Sequence, residues 1–176
     1  MLFTETNLEG AFIVDIQKIG DDRGYFGRAY CRKEFMENGL MSEMVQTNVS
    51  VNKIKGTLRG FHYQVSPHEE AKLVRCTRGS IYDVIIDLRP DSTTYLKWFG
   101  IELSEGNSRM LYVPEKFAHA FITLEDNTAV TYQVSQFYTP GAEAGLRWND
   151  AGFDVRWPLE PKVISEKDQN WPDFIK

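Results

Sequence analysis

Apolar and polar residues alternate along most of this chain in short runs about ten residues apart, broken by Gly, Pro, Asn and acidic turns. Phe12 to Ile19 alternates as a short strand, and Asp21 to Gly24 is a turn into a second run, GYFGRAY. The period changes over CRKEFMENGL, where Phe35, Met36 and Leu40 are apolar and Gly39 supplies a stop; one short helix is predicted near residues 31–39. MVQTNVSVN, TLRGFHYQ, AKLVRCT, SIYDVIIDL, LKWFGIEL, RMLYVP, HAFITL and TAVTYQVSQFY then follow as strands. Such spacing marks an all-β sandwich or barrel. From GLRWND onward, with Pro158, Pro161 and Pro172, the chain reads as a tail that wraps the barrel.

Three runs break the simple pattern. In MVQTNVSVN, Val45, Thr47, Val49 and Val51 share one face and Gln46, Asn48 and Ser50 the other; the amide face belongs either to a solvent-facing edge strand or to a ligand-facing row of hydrogen-bonding groups. In TLRGFHYQ, strict alternation puts Arg59 and His62 on opposite faces, so Gly60 is read as a bulge that aims both into one cavity. In SIYDVIIDL one face carries Asp83 and Asp87, and Asp83 is expected to be buried against a cation of the neighbouring strand, since an unpaired buried carboxylate is too costly.

With 176 residues, 42% of them hydrophobic, the chain can build a core as one domain spanning 1–176. Its formal charge of −5 argues against a nucleic-acid polymer as partner. Of 20 Lys+Arg and 25 Asp+Glu, however, 10 and 5 lie between Arg23 and Arg78, leaving 10 and 20 elsewhere. A local cationic patch in an acidic protein suits a small anionic ligand, with a solvated surface as the plain alternative. Cys31 and Cys76 sit in apolar patterns without CxxC spacing and are expected to be reduced thiols. MLFTETNLEG lacks a basic segment followed by an apolar one, and no window is apolar enough to span a bilayer. The expectation is a cytoplasmic protein with no membrane partner.

A double-sheet barrel with His62 on one strand and His119 in PEKFAHAF resembles a cupin, a fold that usually holds a metal through three histidines and a glutamate. Here the expected set fails: Gln64 stands two positions after His62, and HEEAK ends in Lys72, whose ammonium has no lone pair for a metal. His68, beside Glu69 and Glu70, is a weak candidate for a further ligand. No metal and no cofactor are expected. A cation where a metal would sit can stabilise a developing oxyanion instead.

RGFHYQ, KLVRC with RGSIYDV, FAHAF, and the FYTP…E…RWND tail resemble the dTDP-4-dehydrorhamnose 3,5-epimerases from about Asp21 to Asp168. The resemblance implies a homodimeric, metal-free cupin-type double-stranded β-helix (jelly roll). Its substrate would be a nucleotide-linked 4-keto-6-deoxyhexose, as in conversion of dTDP-4-dehydro-6-deoxy-D-glucose to dTDP-4-dehydro-L-rhamnose. Removing a proton α to a ketone needs a base and a stabilised enolate, and reprotonation from the other face inverts the centre. By the resemblance His62 is the base, Asp168 orients it, Tyr132 is the proton donor, and Lys72 with Arg59 and His119 meets the enolate charge. Tyr138 would stack on the base; Arg23, Gln46, Asn48, Glu143 and Lys167 would contact the nucleotide sugar; Phe26 would come from the partner subunit.

Two positions depart from the family pattern. Arg28 stands where an acidic nucleotide contact is common, which weakens the inference of a thymidine nucleotide, and Ala120 replaces the usual glycine of FAHGF. An epimerase acting at one centre, or on a CDP- or GDP-linked keto sugar, is the nearest alternative. A metal-dependent cupin and a non-catalytic carbohydrate-binding jelly roll are more distant ones.

Overall fold

The computed structural model describes residues 1–174. In chain order it holds β1 (Leu2–Glu5), β2 (Phe12–Asp15), β3 (Ile19–Asp21), β4 (Gly24–Phe26), α1 (Arg32–Glu37), β5 (Gln46–Asn52), β6 (Thr57–Gln64) and β7 (Lys72–Arg78). There follow β8 (Ser80–Asp87), β9 (Trp98–Ser104), β10 (Arg109–Val113), β11 (Phe117–Thr123), β12 (Thr128–Val134), β13 (Glu143–Gly145), β14 (Val163–Ile164) and α2 (Glu166–Gln169). One sheet runs β1-β2-β10-β7-β12-β5 and the other β13-β6-β11-β8-β9, with β14 added in parallel to β6. This is the expected all-β jelly roll.

Alternation explains which residues meet between the sheets. Val74, Cys76, Leu111, Val113 and Val130 of the first sheet pack against Ile81, Ile85, Leu103, Phe117 and Phe121 of the second. Each of these valine, leucine, isoleucine and phenylalanine side chains contributes roughly 1.5–3 kcal/mol when fully buried. The outer faces are covered too. Phe35 of α1 joins Leu73, Met110 and Tyr112 on the first sheet, and Leu146, Phe153, Val155 and Trp157 of the tail lie on Val84, Ile86 and Phe61 of the second. That double cover is why β8 reads as a nearly continuous apolar run.

The alternating segment from Phe12 to Ile19 is two elements rather than one strand. β2 ends at Asp15, and β3 forms a separate hairpin with β4 through the expected turn, Asp21 pairing with Gly24. The hairpin is exposed on both strands, so its apolar residues do not build the core. The helix falls where predicted, and Gly39 follows it with a positive φ of 69°. β1, β13, β14 and the single turn of α2 were not anticipated. No helix of the described residues is long and apolar enough to cross a membrane.

Candidate active site

β6 is the spine of the site. His119 of β11 pairs with His62 and Phe121 with Arg59, so three steps on β6 match two on β11. The extra residue is the predicted bulge at Gly60, whose φ of 114° favours glycine. A Cβ there would stand 2.5 Å from the His119 carbonyl oxygen. With the strand bent in this way, Arg59 and His62 face the same cavity.

That cavity, of about 460 Å³, opens between the two sheets. Arg59, His62, Gln64 and His119 enter from the second sheet; Gln46, Asn48, Ser50, Lys72 and Tyr132 enter from the first. Tyr138, Glu143 and Glu70 complete its rim and wall. Of the two readings of the amide face of β5, the cavity takes it: Tyr132 pairs with Asn48, and both point inward. The opposite face of this edge strand leaves Val49 67% exposed and Val51 55% exposed.

The tail delivers a carboxylate to His62. β14 runs alongside the start of β6, and α2 follows directly, capped by the Ser165 hydroxyl, which accepts from the Asp168 backbone NH. Asp168 is thereby held, buried, with Oδ1 2.6 Å from His62 Nε2 and with Oδ2 accepting from the Gly60 NH at 3.3 Å. Burial by itself would raise its pKa; the hydrogen bond and charge of the imidazole and the Gly60 amide outweigh burial and hold it low. The indole of Trp171 lies edge-on to His62, their centroids 6.4 Å apart.

Facing His62 across the cavity is Tyr132. Burial pushes its phenol pKa up; the carboxylates of Glu70 and Glu143 act in the same direction, and Arg59 opposes them. Lys72 is 6% exposed, its Nζ 3.1 Å from Glu70 Oε1 and donating to the His62 carbonyl at 3.4 Å. His119 Nε2 is 2.8 Å from Asp83 Oδ1. The expected partner of Asp83 on the neighbouring strand is therefore an imidazole, not a lysine or arginine. Arg59 donates to Asn52 at 2.7 Å, the Tyr138 NH to Gln46 at 2.9 Å, and Lys167 to Glu143.

Three of the sequence-derived site residues lie elsewhere. Arg23 and Phe26 sit on the exposed β3-β4 hairpin, where Arg23 pairs with Asp21. Arg28 bonds Glu34 at 2.9 Å, and Glu34 also binds the N-terminal amine. His68 faces the Thr139 hydroxyl at 3.3 Å, and among the described residues no three His, Cys, Asp or Glu side chains are placed to share a metal. Sequence reasoning did not single out Glu70 or Gln64 as cavity residues, nor Trp171 beside His62. Gln64 had a visible signal, a polar residue on the parity of His62, whereas Trp171 comes from the tail.

Inversion at a carbon α to a ketone needs a base, an acid on the opposite face and a positive group for the enolate oxygen, and a carboxylate-oriented imidazole, a phenol across from it and a buried ammonium are groups of those kinds. Comparison with known proteins gives the family. The family model described as dTDP-4-dehydrorhamnose 3,5-epimerase matches residues 5–176. A protein of that name from Methanothermobacter thermautotrophicus is 42% identical, over 96% of this chain and 92% of its own. The crystal structure of the Bacillus anthracis enzyme with TDP and PPi bound superposes with a TM-score of 0.95 at 40% identity, covering 98% of this chain and 99% of that one. The Legionella pneumophila enzyme in complex with dTDP-4-keto-L-rhamnose does so with a TM-score of 0.89 at 34% identity, covering 95% and 89%. Matched along nearly its whole length in sequence and in structure, this chain belongs to the dTDP-4-dehydrorhamnose 3,5-epimerase family.

Proposed function

We propose that the protein, acting as one domain, epimerises a dTDP-linked 4-keto-6-deoxyhexose at C3, C5 or both. The reaction is of the dTDP-4-dehydro-6-deoxy-D-glucose to dTDP-4-dehydro-L-rhamnose type. The observation that carries this reading is the placement of His62, with Asp168, and Tyr132 on strands of opposite sheets, so that a sugar held between them meets one group on each face.

His62 takes the α-proton, and Asp168 fixes the ring and stabilises the imidazolium that forms. Charge then moves to the carbonyl oxygen, where Lys72, supported by Arg59 and His119, meets it. Tyr132, held protonated by its surroundings, returns a proton from the other face. Tyr138 at the rim offers a stacking surface for the base, with Gln46, Asn48, Glu143 and Lys167 beside it for the nucleotide sugar.

The working unit in this reading is a homodimer. The valine face of β5 and the β3-β4 hairpin carrying Phe26, itself 71% exposed, are apolar surfaces without cover in one chain. Pairing would cover them and bring Arg23 and Phe26 to a partner's cavity. Cys31 and Cys76 are both free thiols, which fits the reducing cytoplasm.

Deuterium uptake from D₂O into TDP-, CDP- and GDP-linked 4-keto sugars tests the activity; no uptake across the panel would leave a binding protein. Tyr132→Phe tests the two-faced arrangement. This variant should still exchange the α-hydrogen through His62, with configuration retained, while net inversion falls by about 10²-fold or more. Inversion at close to the wild-type rate would remove the phenol from the role of acid.

A further inference from the structure

Glu70 is a second carboxylate inside the cavity, and the proposed mechanism leaves it without a task. Its side chain is only 14% exposed. Oε1 lies 3.1 Å from Lys72 Nζ, and Oε2 accepts a long contact of 3.5 Å from the Gln64 amide. Gln64 is itself buried, and its two amide hydrogens go to the His68 and Phe137 carbonyls while its oxygen accepts from the Thr139 NH, so the amide borders the carboxylate and the Lys72 ammonium is the close partner of Glu70.

We propose that Glu70 is a positioning residue for the reaction, the counter-ion that holds the Lys72 ammonium at the enolate end of the cavity. The inference rests on the reading of Lys72 and Tyr132 given above. A buried lysine without a partner loses its proton readily, because burial disfavours the charged form; a carboxylate within hydrogen-bond distance reverses that preference. The same negative charge acts on the phenol of Tyr132. There, next to an anion, the phenol's proton is harder to lose. The remaining charged and titratable groups that line the cavity with Lys72 are Arg59, His62 and Tyr63 on β6, His119 on β11, Tyr132 on β12, Tyr138 after it and Glu143 on β13. Of these only Glu143 is another carboxylate, and it is engaged by Lys167.

The test is Glu70→Gln, which keeps the size and an acceptor oxygen for Nζ while removing the charge. The pH dependence of α-deuterium exchange should keep its acid limb while its alkaline limb moves toward neutrality by roughly one pH unit or more. Glu70→Asp, which restores the charge, should return the limb most of the way. A merely structural role would lower the rate at every pH without moving one limb. An alkaline limb in Glu70→Gln that coincides with the wild type overturns the proposal.

A readout independent of turnover separates this from failure of the epimerase reading. The Lys72 Nζ resonance, assigned in ¹⁵N-lysine-labelled protein by its loss in Lys72→Arg, should titrate at lower pH in Glu70→Gln than in wild type. If no substrate exchanges in the wild type but this titration shifts, the counter-ion role stands and the epimerase reading falls. If exchange occurs and the titration does not shift, Glu70 is not the counter-ion. Should Glu70→Gln not fold, Glu70→Asp is compared alone: its longer reach to Nζ should lower the Lys72 titration by less than one unit, and a rise or no change would count against the proposal.

Discussion

Replacing Gly60 by alanine probes the link between backbone and chemistry, because this residue makes the bulge and carries no functional group. The new Cβ would stand 2.5 Å from the His119 carbonyl oxygen, 2.6 Å from the Ala120 Cβ and 2.7 Å from the Ala120 Cα, at a φ of 114°. Neither neighbour is the loose end of a long side chain, so strand β11 or β6 must move. Backbone strain of roughly 1–3 kcal/mol and overpacking of roughly 1–3 kcal/mol combine to about 4 kcal/mol. At about 2–4 °C per kcal/mol for a chain of this size, the thermal midpoint should fall by roughly 8–16 °C. Gly39→Ala is the control: its φ is 69°, but nothing lies within 4 Å of the added carbon. Strain alone, about 1 kcal/mol, should lower that midpoint by only about 2–4 °C. Displacing His62 or Arg59 by about 1 Å should also cost on the order of 10²-fold in exchange rate. Thermal unfolding and α-deuterium exchange on both variants decide the matter. A Gly60→Ala protein as stable as Gly39→Ala, exchanging at the wild-type rate, would show that the bulge neither needs glycine nor aims the two side chains.

Asp168→Asn should reduce exchange by about 10²–10⁴-fold with nucleotide binding little changed, because an amide can neither stabilise an imidazolium nor enforce the same tautomer; a loss under tenfold would exclude the orienting role. The folded-state pKa of Asp168 is depressed, so its contribution to stability is present above an unfolded value of about 3.9 and is lost as pH falls through the folded value. Denaturant midpoints measured across that window should therefore fall less steeply for Asp168→Asn than for wild type, and parallel curves would contradict the assigned direction. If the chain pairs through β5 as proposed, Val49→Asp, at a 67% exposed position of that strand, should convert the dimer to monomer in sedimentation equilibrium; a monomeric wild type, or a variant that stays dimeric, would count against that interface.

Strands β5 to β12 were legible because each is long enough for its period to show, and β8 because a continuous β-branched run implies cover on both faces. The elements that escaped are short or polar. β13 and β14 have three and two residues, too few for any period, and they exist only because β6 offers an edge for them to pair with. The segment at Phe12–Ile19 misled because alternation reports a half-buried surface only if the chain stays on a sheet, and after Asp15 this chain leaves it for an exposed hairpin. The approach of Asp168 to His62, 106 residues apart in sequence, has no local signal at all; family resemblance alone pointed to it.

β5 gives the sharper lesson, because the usual assignment of apolar residues to the inside fails there. Its inward face carries Gln46, Asn48 and Ser50, while Val49 and Val51, although they reach the cavity's edge, are left more than half exposed. A cavity that holds a charged, hydroxyl-rich ligand needs polar groups along its wall, since the ligand's polar groups would otherwise lose their water without replacement. The polarity of the strand is therefore reversed by what it lines, and its apolar residues are left for the outer surface. An amphipathic strand whose polar face turns inward carries two pieces of information: a polar ligand on one side and, on the other, a surface that gains from being covered by a second chain. Glu70 and Lys72 follow the same logic, for a buried wall holds the two charges because they pair at 3.1 Å and the ammonium also donates to the His62 carbonyl.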